Sequence, residues 1–135
     1  MSGTLAEQPT REGKAMLDKY PRRDVAYIAT ASGVTVVDRR QARVIDLDSL
    51  GAHIWLGIDG LHTLGQIADR ISERYNQPAH VLRAKVEQKC RELVNEGFVV
   101  MADEPSPLPY HVSMPRDQQD RNEMMRSMRR AGWIA

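Results

Sequence analysis

The side chains best suited to making and breaking bonds in this 135-residue chain are four histidines, His53, His62, His80 and His111, and one cysteine, Cys90. Zinc hydrolases place two histidines one helical turn apart around a glutamate, so that both rings reach one metal. No pair here has that spacing. A nucleophilic thiol needs a cation-rich setting that lowers its pKa. Cys90 instead shares a helical stripe with Leu82, Val86 and Leu93, where it reads as a small buried hydrophobe. One cysteine also leaves no intramolecular disulfide and no Cys-rich zinc or iron–sulfur cage. Gly51, Gly57, Gly60 and Gly65 do not follow a strand at phosphate-loop spacing. The expectation is a protein that is not an enzyme and carries no metal or cofactor.

Composition narrows the remaining classes. The formal net charge is +1, and it is balanced along the chain. Residues 1–23 hold five basic and three acidic groups, residues 24–102 nine and ten, and residues 103–135 five and five. Such balance gives no field directed at nucleic acid or an anionic membrane. No apolar run approaches the ~20 residues that span a bilayer, and the first residues lack the apolar core of a signal peptide. Together with the lone cysteine, this makes a cytoplasmic protein the expectation.

Hydrophobic periodicity then divides the chain into three parts. Residues 1–23 are polar and interrupted by Pro9 and Pro21, as in a flexible arm, with a short helix from Thr10 to Tyr20 the one periodic option. Residues 24–102 form the domain. Alternation from Asp24 to Thr30, a Ser32-Gly33 turn, the β-branched run Val34–Val37 and the segment Arg43–Leu47 predict three antiparallel strands. On the third, Ile45 and Leu47 share the core side, and Val44 and Asp46 the other. Asp48 or Ser49 caps a helix to about Leu56, ended by Asp59-Gly60. Thr63, with Gln66 three residues on, forms a capping box for Leu64–Tyr75. A third helix spans roughly Ala79–Glu96 and stops at Gly97. Phe98–Met101 either pairs as a strand or plugs the core. Residues 103–135 form a spacer with Pro105, Pro107 and Pro109, then an amphipathic helix from about Ser113 to Ala131, stopped by Gly132. The predicted fold class is α+β: a winged-helix-like domain of three antiparallel strands followed by three helices, plus a C-terminal helical tail.

The residues Leu47-Asp48, Gly51-Ala52-His53-Ile54-Trp55, Asp59-Gly60, Thr63, Ile67, Ile71, Tyr75, Val86, Leu93, Gly97 and Phe98 stand in an ordered pattern. In that pattern the domain resembles the PqqD-like family, peptide chaperones also called RiPP recognition elements. Asp48 departs from the family's usual asparagine, although both residues cap helices. The resemblance implies binding of the leader segment of a ribosomally made precursor peptide. The leader's core is then presented to a modifying enzyme, often a radical SAM maturase. It implies, further, that the leader adds as a strand beside the third strand and against the third helix.

On this sequence the implied peptide site comprises Arg43, Val44, Ile45, Asp46 and Leu47 as the edge. Leu82, Val86, Cys90 and Leu93 are the apolar helix wall, and Lys85 and Lys89 a rim that pairs with acidic leader residues. The same residues also fit a plain core stripe beside a solvated lysine face, and both readings stand at this level.

Two rivals remain. A DNA-binding winged helix would read with the third helix, but Arg83, Lys85, Lys89 and Arg91 are offset there by Glu87, Glu92 and Glu96. A non-catalytic regulatory or structural subunit would clamp a protein partner. For that role the tail offers Met124, Met125, Met128 and Trp133 as docking residues, since methionine adapts to irregular pockets. The tail could equally fold over the domain's own groove or swap onto a neighbour, and an open edge strand permits a homodimer.

Overall fold

In the computed structural model, residues 15–135 are described. The domain centres on a three-stranded antiparallel sheet, ordered β2 (Ala26–Thr30), β3 (Gly33–Asp38) and β4 (Arg43–Asp46). Three helices follow: α1 (Ser49–Gly57), α2 (Leu64–Tyr75) and α3 (Ala79–Asn95). This is the α+β order that the sequence predicts. Two further strands lie outside it. β1 (Tyr20–Arg23) pairs antiparallel with β5 (Val99–Ala102) as a separate two-stranded ribbon, Arg23 opposite Val99.

The β1 strand corrects the expectation of a flexible arm to residue 23. Its Tyr-Pro-Arg-Arg sequence hides a buried position, Arg23, which is only 6% exposed. Its guanidinium donates to the backbone oxygens of Trp55 and Ser113, both at 2.9 Å, and lies over the Tyr27 ring. Those acceptors make burial of the cation tolerable without a salt-bridged carboxylate among the described residues. Of the expected Thr10–Tyr20 helix, residues 10–14 lie outside the described residues, and within residues 15–20 only Met16–Asp18 make a single 3-10 turn before Tyr20 begins β1.

Helix ends follow local chemistry. Asp48 caps α1 by accepting from the Gly51 amide, and Thr63 and Gln66 make the reciprocal capping box of α2. Gly97 closes α3 at φ +84°, where a side chain would be strained, and the Phe98 amide returns to the Leu93 carbonyl. That turn buries Phe98 and releases Val99 to pair with β1, so both expectations for this segment are met at adjacent residues.

The core joins the inner face of the sheet to the three helices. Trp55, Ile54, Ile58, Leu64 and Val86 have no exposed surface, and Tyr27 meets Trp55 edge-on at 5.7 Å. The tail departs from one long helix. It forms α4 (Tyr110–Ser113), a 3-10 turn at Arg116–Gln118, and α5 (Arg121–Arg130). Pro115 ends the first piece, and Asp120 starts the last by capping the Glu123 amide. Among the described residues no helix is long and apolar enough to cross a membrane.

Candidate functional site

The β4 strand has a neighbour on one side only. β3 pairs with it through Thr35–Asp46, Val36–Ile45, Val37–Val44 and Asp38–Arg43, and the Leu47 amide donates to the Val34 carbonyl at 2.9 Å. Antiparallel ladders alternate hydrogen-bonded and non-hydrogen-bonded pairs. Leu47, Ile45 and Arg43 therefore direct their N–H and C=O groups toward β3. Val44 and Asp46 direct theirs to the open edge. The side chains alternate as well: Ile45 and Leu47 pack on the core, while Val44 is 69% exposed on the outer face.

Beside this edge, a cleft of about 260 Å³ separates β4 from α3. Ile45, Leu47, Leu93 and Phe98 supply its apolar lining, and Asp48, Gly51, Lys89, Glu92 and Glu96 its rim. The Lys89 ammonium sits 2.8 Å from Asp48 and 3.2 Å from Glu92. Its hydrogen bond to Asp48 raises the lysine pKa. The same bond, followed by the Gly51 amide, holds the Asp48 carboxyl below its usual value. Gly51 keeps this corner open, because a Cβ there would stand 3.0 Å from the Asp48 Oδ1 and 3.7 Å from the Lys89 Cδ. At the other end, Arg43 bridges Asp38 and Glu96, each at 3.0 Å, and lies over the Phe98 ring. Arg43 thus ties the strand to the last turn of α3.

The structure brings Ile45, Asp46, Leu47, Lys89 and Leu93 together at the cleft. It does not bring Leu82, Val86 or Cys90 there, all of which lie in the core at 1% exposure or less. The Cys90 thiol is pushed up to about 12 by burial, which leaves it protonated and unreactive at neutral pH. Lys85 is exposed one turn before Lys89 and does not reach the cleft lining. The physical reason is helix phase. The row 82–86–90–93 points inward, and the adjacent row of Lys89, Glu92 and Glu96 faces β4. Asp48, Gly51, Glu92, Glu96 and Phe98 were missing from the sequence-predicted site, and that second row is the signal that would have found the glutamates.

The tail lies elsewhere. None of its residues lines the β4–α3 cleft. Instead α4 and the turn after it pack near β2, and the spacer is stitched down where the Ser106 amide donates to the Gly60 carbonyl at 2.8 Å. His111 is buried, bonded to the Ser127 hydroxyl at 2.6 Å and edge-on to Trp133 at 4.3 Å. Met128 is buried, and Met124, Met125 and Trp133 are partly exposed. Of the four docking candidates, Met128 is therefore committed to the chain's own packing. A larger recess of about 530 Å³ lies where Trp133 crosses near Ala26 and Arg40. Its Arg40 is already held by Asp24 and by the Gly97 carbonyl.

Fold and site define an α+β domain with one sheet edge open beside a helix. Among the described residues there is no cluster of three or more His, Cys, Asp or Glu side chains placed to hold a metal. Residues 33–99, just under half of the chain, match the family model described as coenzyme PQQ synthesis protein D (PqqD), a match consistent with a PqqD-like RiPP recognition element. No curated protein and no solved structure matches it.

Proposed function

We propose that this protein binds the leader segment of a ribosomally synthesised precursor peptide as an added strand on β4. It then presents the peptide to a modifying enzyme, such as a radical SAM maturase, and takes no part in the chemistry itself. The match to the PqqD family model supports a peptide-binding accessory role in the biosynthesis of a modified peptide or peptide-derived cofactor. The observation that carries the reading is the outward row of backbone groups at Val44 and Asp46, set beside an apolar-floored cleft. Unpaired strand edges bind extended chains through main-chain hydrogen bonds, and adjacent pockets select side chains. The peptide site proposed is Val44–Leu47 with Lys89, Glu92, Leu93, Glu96 and Phe98. Exposed Leu56 and Leu61 lie outside the cleft lining and are left for contact with the enzyme.

The charge pattern of α3 supports peptide over DNA. Arg83 is paired to Asp69, Arg91 to Glu87, and Lys89 to Asp48 and Glu92. Three of the four cations of α3 are thus balanced by carboxylates, and Lys85 alone does not make the concentrated basic face of a nucleic-acid reader.

The test is an amide-resolved NMR titration of ¹⁵N-labelled protein with a synthetic leader, taken from a short open reading frame beside the gene. Saturable shifts at residues 43–47 and 89–98 are expected. Shifts absent for every neighbouring peptide, with broadening on adding a neighbouring enzyme, would transfer the role to a subunit that clamps a protein partner.

A further inference from the structure

The charges around the open edge point to the chemistry of its occupant, on the premise that the edge receives a leader strand. Asp38, Asp46, Asp48, Glu92 and Glu96 surround it, and the basic groups set among them are Arg43 and Lys89. Each of those two cations already serves two carboxylates: Asp38 and Glu96 for Arg43, Asp48 and Glu92 for Lys89. The neighbouring Arg40 is paired to Asp24, and Lys85 one turn away does not reverse the sign. Asp46 stands on the outer face, where its carboxylate accepts from the Thr35 hydroxyl at 2.6 Å and makes no ion pair among the described residues.

Lys89 was expected to attract acidic leader residues. In the folded protein it neutralises the domain's own acids, so an incoming carboxylate would have to displace Asp48 or Glu92. An incoming cation meets carboxylates on both faces of the strand it joins: Glu92 and Glu96 on the cleft side, Asp46 on the outer side. Between them, the floor of Ile45, Leu47, Leu93 and Phe98 takes an apolar side chain. Like charges juxtaposed across an interface suppress wrong partners, and opposite charges speed encounter.

We infer that the edge selects a cationic leader, an extended segment that seats an apolar side chain on the cleft floor and carries lysine or arginine on both faces of the strand.

Three synthetic peptides of equal length, each a central valine flanked on both sides by two lysines, two glutamates or two glutamines so that the variable side chains fall on both faces of the strand, are titrated against the labelled full chain by NMR and by fluorescence anisotropy. The lysine peptide is expected to bind about tenfold more tightly than the glutamate peptide at low salt, the size that two or three partly exposed ion pairs provide. The gap should narrow as salt screens it, and it should shrink in the Asp46→Asn and Glu92→Gln variants, which keep the local hydrogen-bonding shape. Equal affinity for all three peptides with shifts at Val44 and Asp46 overturns the charge selection and leaves edge binding standing. A preference for the glutamate peptide overturns it as well. If the lysine peptide fails while the neighbouring leader still shifts residues 43–47, the charge selection alone falls. If both fail to shift them, the edge-binding reading falls with it.

Discussion

Replacing Val44 by proline separates edge binding from stability more cleanly than any other single change. The Val44 amide points away from β3, because the Leu47 amide to Val34 carbonyl bond fixes the alternation and places Ile45, not Val44, in a bonded pair. Proline there removes a donor that the fold does not use, and edge strands are where proline is tolerated. The side chain it replaces is 69% exposed, so little packing is lost. Stability should change by less than about 1 kcal/mol. Leader affinity should fall by about two- to tenfold from the lost hydrogen bond, worth about 0.5–1.5 kcal/mol, and further because the ring occupies the path of the incoming strand. Fluorescence anisotropy with a labelled leader gives the affinity, and thermal melting gives the stability. Val44→Ala should leave both unchanged. Ile45→Pro should lower the melting temperature strongly, since it breaks the bonded pair with Val36 and disturbs a residue packed on the core. Wild-type leader affinity in a folded Val44→Pro protein would refute the assigned edge geometry.

Other perturbations test the scaffold. Asp48→Ala removes the cap of α1 and should cost about 1 kcal/mol by chemical denaturation, while Asp48→Asn should cost less because it still accepts from Gly51. Since Lys89 and the Gly51 amide lower the folded pKa of Asp48, its contribution is present above about pH 4 and disappears as pH falls through the depressed value. Asp48→Asn should lose that part of the acid sensitivity. Gly60→Ala places a Cβ 2.1 Å from the Ser106 carbonyl oxygen at φ +78°. It should cost at least about 2 kcal/mol and free the spacer to protease. Burial lowers the His111 pKa, with Asp24 opposing that shift and Arg130 adding to it. The unfolded chain therefore binds the proton more readily, so tail docking should weaken as pH falls below about 6.5, by at most about 1.4 kcal/mol per pH unit. Fluorescence of Trp133, which sits on His111, reports the change, and His111→Gln should flatten it.

The parts of the fold that were legible in sequence are those with local causes. Asp48, Thr63 with Gln66, and Gly97 determine helix ends through bonds made within a few residues, and α1 to α3 lie where those residues place them. The β1–β5 ribbon was hidden because its pairing spans most of the chain and one of the two buried residues of β1 is an arginine whose terminal nitrogens reach distant carbonyls. The tail's division at Pro115 and Asp120 was overridden in sequence by the amphipathic pattern that runs through it. At the site, the strand edge was readable from alternation, whereas the helix wall was not. Apolar residues mark the face of α3 that enters the core, and the face turned to the cleft is charged. Which face meets β4 depends on packing that the periodicity of one helix does not contain.

Hydrogen exchange at two amides tests strand addition most directly. With a saturating synthetic leader, the Val44 and Asp46 amides should change from fast exchange to protection, as N–H groups do on joining a ladder, while Ile45 and Leu47, whose amides face β3, should be protected with or without it. Tight leader binding that leaves Val44 and Asp46 exchanging at their free rates would contradict strand addition at β4.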